Sequence, residues 1–303
     1  MNQVIEPCGV LPIDKPAGIT SHDVVGRIRR LFGTRRVGHT GTLDPMATGV
    51  LVVLIGRAAK AAEYLTADRK VYRATLKLGI TTDTEDTTGT VLTSTDSLPT
   101  PEEVVQVCGQ FVGKIRQIPP MYSALKVKGQ KLVDLARRGI EVERTPREIE
   151  IYRLDCTPNQ DGSYTLEVAC SSGTYIRTLC ADIGKALGCG GAMASLRRLE
   201  AGGFSLENAF TLEQIEEVDT EERKAMPLAI ERLFSSLPAI ALPAFYERLA
   251  RCGCEIYLKK VGVSHPVGTR LRLCTADGGF FALAEVREYE EGLAAKPIKQ
   301  FDI

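Results

Sequence analysis

The chain lacks what would place it outside the cytoplasm or make it a metalloprotein. No apolar run approaches membrane-spanning length; the longest, Val50 to Ile55, suits a buried strand. The first residues, MNQVIEPCGV, have neither the basic start nor the long apolar stretch of a secretory signal. There are only three histidines, and the nine cysteines are odd in number and scattered, with Cys252 and Cys254 one residue apart. No zinc pattern can be assembled from them, so they read as small buried side chains in a reducing cytoplasm. Internal repeats, low-complexity segments and a Walker sequence are all missing. Net charge is missing too: 38 basic residues balance 38 acidic ones, which alone argues against a nucleic-acid partner. What remains is 303 residues, 44% hydrophobic and 25% charged, ordinary for a soluble globular protein with one large domain or a large and a small one.

The distribution of charge says more than its sum. From Lys114 to Arg147 nine basic residues face three acids, and from Glu200 to Glu231 nine acids face two basic residues. Such segregation can build one basic face on a neutral protein, although a solvated surface pattern would look the same.

Strands and helices mix without a strict βαβ rhythm, so an α+β class is expected, with a mixed, mainly antiparallel sheet flanked by helices. In "SHDVVGRIRRLFG" Ser21 is a good N-cap, Val24, Val25, Ile28, Leu31 and Phe32 recur at helical spacing, and Gly33 is a good stop. "YRATLKLGI" alternates, with Tyr72, Ala74, Leu76, Leu78 and Ile80 on one face. "PTPEEVVQVCGQF" predicts a helix from Pro101, "YTLEVAC" a strand, and "YIRTLCADIGKALG" a helix ending at Gly188. Pro227, Pro238 and Pro243 mark a boundary between a domain over 1–237 and a β-rich module over 238–303, where "RLRLCTADGGFFALAEV" reads as a hairpin around Asp277, Gly278 and Gly279.

"GHTGTLDPMATG" holds the most chemistry. From Val24 to Ala62 Asp44 is the only carboxylate, against Arg27, Arg29, Arg30, Arg35, Arg36, Arg57 and Lys60. Pro45 biases Asp44 toward extended backbone, and the apolar run after it puts Asp44 on a loop entering a buried strand. Ringed by guanidinium groups, the carboxylate should stay ionised, fit to serve as nucleophile, base or electrostatic stabiliser. An Asx-type turn residue is the plainer reading of an isolated Asp-Pro pair.

The wider context favours chemistry. "LPIDKPAGITSHDVV", "GHTGTLDPMATGVLVV", "KVYRATLKLG" with "TDTEDTTG", "QIPPMYSALKVKGQKLVDLARRGIEVERTPR" and "CSSGTYIRTLCADIGKALG" with "LRRLEAGGF" resemble, in order, the blocks of the TruB family of pseudouridine synthases, over roughly Leu11 to Phe210. The resemblance implies a pseudouridine synthase fold, a basic RNA-gripping insertion at about 115–148 and a C-terminal PUA-like RNA-binding domain. It implies isomerisation of a uridine in the T loop of tRNA, position 55, by a redox-neutral reaction with no cofactor and no metal. Residue by residue it makes Asp44 the catalytic aspartate, Arg177 its active-site arginine and Tyr72 a third catalytic residue, stacked on or abutting the target base. Tyr175 and Leu196 become substrate contacts, each also readable as core packing. His39 would fill the gap left by a flipped-out base. Lys15, placed with the substrate-binding residues, would with Pro16 support the active-site loop. Lys126, Lys128, Lys131, Arg137 and Arg138 would contact phosphates. Arg177 falls in the first turn of a predicted helix, where a cation opposes the dipole, so a carboxylate partner is expected. The site motifs all lie upstream of Pro238, so the module should add affinity rather than chemistry. A monomer needing no protein partner is expected, with tRNA its only partner.

Three other readings compete. "GTLDPMATG" also resembles a nucleotidylyltransferase motif, but Ala47 and Val50 stand where that motif has histidines. A non-catalytic RNA binder or tRNA chaperone would use the same basic surface, yet would not need Asp44, Tyr72 and Arg177 together; a guide-RNA-dependent ribosomal RNA enzyme fits less well for want of long basic tails.

Overall fold

The computed structural model describes residues 7–65, 69–127 and 129–301. Strand β1 (Gly9–Lys15) leads into helix α1 (Ser21–Phe32). The N-cap is Thr20, not Ser21: Thr20 and Asp23 exchange side-chain-to-backbone bonds in a capping box, and Ser21 instead turns inward and is buried. Gly33 ends the helix at φ 62°, the left-handed conformation that such a stop requires. β2 (Val37–His39) and β3 (Thr48–Ile55) follow, joined by the loop that carries Asp44. β3 is buried on both faces. Leu51, Val53 and Ile55 join α1 in the main core, whereas Val50, Val52 and Leu54 enter a second apolar cluster.

β4 (Lys70–Leu78) shows the expected alternation, with Tyr72, Ala74, Leu76 and Leu78 buried. Ile80 does not continue it. Gly79 turns the chain at φ +82°, where a Cβ would lie 2.7 Å from the Thr95 carbonyl. Ile80 therefore opens β5 (Ile80–Thr82), which pairs with β6 (Val91–Ser94) outside the main sheet. α2 (Pro101–Gly109) begins at Pro101 behind the Thr100 cap. After β7 (Gly113–Gln117) the chain makes an excursion through a hairpin, β8 (Lys126–Val127) and β9 (Gln130–Lys131), and a short helix, α3 (Leu132–Ala136). It returns on β10 (Arg147–Pro158) with Arg147 opposite Gln117, so the excursion spans 118–146; both ends of the expected range belong to the sheet.

β11 (Tyr164–Cys170), α4 (Ile176–Ala186), β12 (Gly191–Ala201) and β13 (Phe204–Ser205) complete this part of the chain. The main sheet runs β1-β3-β12-β4-β11-β10-β7. β12, late in sequence, is parallel to β3 and antiparallel to β4, so Arg198 lies opposite both Gly49 and Tyr72. α5 (Leu212–Glu217) and α6 (Thr220–Ala225) carry the acid-rich stretch, where Glu216 pairs with Arg27 of α1 at 3.1 Å. A second sheet, of β14 (Ala239–Ala241), β15 (Ile256–Tyr257), β16 (Arg270–Cys274), β17 (Phe280–Tyr289) and β18 (Gly292–Gln300), carries helix α7 (Ala244–Arg251) and the expected hairpin. Its Phe280, Leu283 and Phe301 pack into the cluster of Val50, Val52 and Leu54. The class is α+β, as expected. All nine cysteines are free thiols, and among the described residues no helix is long and apolar enough to cross a membrane.

Candidate active site

The loop bearing Asp44 is tied down from three directions. The Ser21 hydroxyl accepts from the Leu43 N–H at 2.8 Å and donates to its carbonyl at 3.0 Å. Lys15 Nζ donates to the carbonyls of Pro16, Pro45 and Ala47 at 2.8, 3.3 and 2.7 Å. Arg198, buried on β12, donates from Nε to the Val50 carbonyl at 2.6 Å and from Nη2 to that of Gly41 at 3.0 Å, holding both ends of the loop. Close approach of β12 also explains Gly49: at φ +102° its Cβ would come within 2.1 Å of the Arg198 carbonyl. Burial lowers the Lys15 ammonium to about 8, against the opposing pull of Asp44. Lys15 has no exposed surface, and its ammonium spends its protons on these three carbonyls, which ties the loop down.

Asp44 faces Arg177 in a two-point pair, Nε to Oδ2 at 2.9 Å and Nη2 to Oδ1 at 3.3 Å. The partners are 133 residues apart in sequence. None of the seven neighbouring basic residues lines the cavity; Arg29 donates to the Val37 carbonyl and Arg27 pairs with Glu216. Arg177 sits in the first turn of α4, where the helix dipole disfavours a cation, and two carboxylates compensate. The second is Asp86, 4.0 Å from Nε and held by Thr84 Oγ1, Thr88 N and Thr88 Oγ1 at 2.8, 3.0 and 2.6 Å. Arg177 also donates to the carbonyls of Thr84 at 3.0 Å and Tyr122 at 2.7 Å. Its side chain is 6% exposed and that of Asp44 34%, so the arginine is built in while the carboxylate stays open.

The opening is a cavity of about 630 Å³ lined by His39, Asp44, Tyr72, Tyr175, Arg177 and Leu196, among others, with Lys131 and Arg137 at its wall. Tyr72 and Leu196 meet there because β4 and β12 are paired. Burial raises both tyrosine hydroxyls above their ordinary range, so both stay neutral phenols. Gln117 grips the Tyr175 backbone at N and O, at 3.0 and 3.1 Å. Burial, with Arg198 and His22 adding to it, holds the His39 imidazole below its usual range, and its Nδ1 has no hydrogen-bond partner. Lys126 and Arg138 are exposed and do not line the cavity, and Lys128 lies outside the described residues. Sequence reasoning overlooked Ser21 as a tether, Asp86, Gln117 and Arg198. All four lie within the motifs that resemble the TruB blocks, and that membership was their only signal.

The family model "TruB family pseudouridylate synthase (N terminal domain)" matches residues 29–176, and "tRNA pseudouridylate synthase B C-terminal domain" matches 177–238. Over 285 residues the chain is 44% identical to tRNA pseudouridine synthase B of Syntrophotalea carbinolica, covering 94% of this chain and 86% of that one. The chain belongs to the TruB family. A second TruB relative, from Dechloromonas aromatica, is 50% identical over 235 residues, 77% of this chain and 78% of its own. In structure, a chain of a Cbf5-Nop10-Gar1 complex matches with a TM-score of 0.75 at 25% identity, covering 96% of this chain and 84% of that chain. Asp44 lies in the first TruB segment and Arg177 opens the second, so the ion pair joins the two. The five-stranded sheet lies beyond both segments.

Proposed function

We propose that this protein converts uridine to pseudouridine at position 55 in the T loop of tRNA, with Asp44 as the catalytic carboxylate acting on a flipped-out base. The observation that carries the reading is the Asp44–Arg177 pair on the wall of a cavity shared with Tyr72, Tyr175 and Leu196, in a member of the TruB family. The reaction breaks the bond from ribose C1′ to base N1 and makes one from C1′ to C5; C5 gives up its proton and N1 gains one, so the product is an isomer with no net change of atoms or electrons. Attack on C1′, attack on the base and removal of a sugar proton all require an ionised, oriented carboxylate. Two-point contact with Arg177 orients it, and the carbonyls of Thr84 and Tyr122 fix the guanidinium before substrate arrives. Tyr72 and Leu196 supply flat and apolar walls for a base, and Tyr72 stands beside Asp44 and Arg177 as a catalytic residue against that base. His39, neutral and half-buried, is suited to fill the place of the extruded base. Lys131, Arg137 and the exposed Lys126 and Arg138 hold phosphates, and the excursion 118–146 closes over the RNA. Residues 1–237 form the synthase domain, and 238–303 the PUA-like module.

tRNA is favoured over a guided ribosomal substrate because relatives at 44–50% identity are named tRNA enzymes, whereas the Cbf5 likeness is 25%. The purified chain alone, incubated with unmodified tRNA transcript, should form pseudouridine at one T-loop position. Product elsewhere, or dependence on added protein or RNA, would overturn the assignment.

A further inference from the structure

Glu85 is the sole non-glycine among the described residues with a positive φ, at 63°. An L-residue in the left-handed region costs roughly 1–2 kcal/mol, and burial also pushes the Glu85 carboxyl up from its ordinary range. Glycine would relieve both costs, so the side chain must contribute something in return. Its carboxylate accepts from Thr178 Oγ1 at 2.6 Å, on the first turn of α4 beside Arg177. Its neighbours act on Arg177 itself: the Thr84 carbonyl accepts from Nη1 at 3.0 Å, and Asp86 lies 4.0 Å from Nε. Three successive residues thus engage one helical turn, two through Arg177 and one through Thr178. Neither Glu85 nor Thr178 lines the cavity, so neither meets substrate.

We propose that Glu85 is a positioning residue for the Asp44–Arg177 pair: by holding Thr178 it sets the distance between the Thr84–Asp86 turn and α4, and so fixes the guanidinium that orients Asp44. The inference rests on the reading of Asp44 and Arg177 as the reacting site.

The test compares Glu85→Gly, Thr178→Val, the double variant and Glu85→Gln. Glycine is at home at φ 63°, so Glu85→Gly should melt no lower than wild type. Single-turnover rate at saturating tRNA should fall about tenfold in Glu85→Gly and in Thr178→Val, the scale of one hydrogen bond to a charged group. The double variant should be no slower than the worse single one, because both remove the same link. tRNA affinity should hold, and Glu85→Gln should recover most of the rate, since its amide oxygen still accepts from Thr178. A second readout needs no activity. The Thr87 N–H donates to the Met193 carbonyl and the Thr88 N–H to Asp86, and amide exchange at both should quicken in Glu85→Gly and Thr178→Val. Faster exchange in a wild-type background that makes no pseudouridine would overturn the functional reading and keep the link. An active wild type with unchanged exchange, an unchanged rate in Glu85→Gly, or effects that multiply in the double variant would each overturn the positioning role.

Discussion

At the scale of the residue, the site separates a fixed cation from an available anion. Arg177 spends its donors on Asp44, Thr84 and Tyr122, whereas Asp44 keeps a third of its side-chain surface open. Asp44→Asn keeps the shape and removes the charge, so pseudouridine formation should fall by more than about a thousandfold, beyond the loss of one preorganised donor, with tRNA affinity nearly unchanged. Product assay and filter binding on the pure variant check this. Arg177→Lys should lose about a hundredfold or more in rate, since an ammonium cannot make the two-point contact or reach two carbonyls as well; a near-normal rate would show that the pair is dispensable. Lys15→Met tests the loop. Three carbonyls lose their donor, at about 1–3 kcal/mol for each that stays unsatisfied, but the cost of burying an ammonium goes too. The expected net is a loss of about 1–2 kcal/mol in stability, with a slower reaction and intact tRNA binding, read by denaturant melts and single turnover. Asp44 could be picked from the sequence because a lone acid between glycines is visible there. Asp86 and Arg198 could not, because their roles depend on which distant backbone groups the sheet register brings within reach.

At the scale of the element, local chemistry was a good guide wherever one element decides its own form. β4 alternates, α2 starts at Pro101, and α1 stops at Gly33. It misled where tertiary contact redirects a residue: Ser21 looks like a cap, but Thr20 with Asp23 caps better and Ser21 is drawn to Leu43. The position of β12 between β3 and β4 leaves no local trace either, and that insertion brings Leu196 and Arg198 to the site. The excursion 118–146 leaves and rejoins the sheet at the paired residues Gln117 and Arg147. Its Tyr122 carbonyl touches Arg177, which links its position to the site. Replacing Lys126, Lys131 and Arg138 together by alanine should weaken all tRNA substrates alike and flatten the plot of log affinity against log salt. Each phosphate that the protein no longer neutralises takes about 0.7–0.9 from the slope, so a change of about 2 in slope is expected for the three. The modified position should not move, because phosphate contacts carry no base identity. An unchanged slope would make the segment scaffold.

At the scale of the whole molecule, the C-terminal module is less separable than its place in sequence suggests. The site motifs do lie upstream of Pro238, and on sequence alone that predicts a module that adds affinity rather than chemistry. Yet the second apolar cluster is built from both parts: Val10, Val50, Val52 and Leu54 from the first, and Phe280, Leu283 and Phe301 from the second. Phe234, just before the boundary, packs tilted against both Phe280 and Phe301, with ring centroids 5.9 Å apart in each pair. Val50, Val52 and Leu54 alternate with core residues on β3, the strand that leaves the Asp44 loop. Ending the chain at Leu237 would therefore strip part of the apolar cover from that face of the strand, leaving Phe204, Ile230 and Phe234 to shield the rest. Burial of a large apolar side chain stabilises by about 1.5–3 kcal/mol. Losing Phe280, Leu283 and Phe301 alone would then remove roughly 5–9 kcal/mol, comparable with the entire stability of an ordinary domain, about 5–15 kcal/mol. The expected result is a truncated chain that melts far lower or fails to show a cooperative transition, and that loses activity for this reason. Calorimetry of the truncated and full chains separates the possibilities. A truncated chain that melts within a few degrees of the full one, and reacts at saturating tRNA, would show that the module is an appendage. Loss of the transition together with loss of reaction would show that the module also shores up the strand on which the Asp44 loop is built.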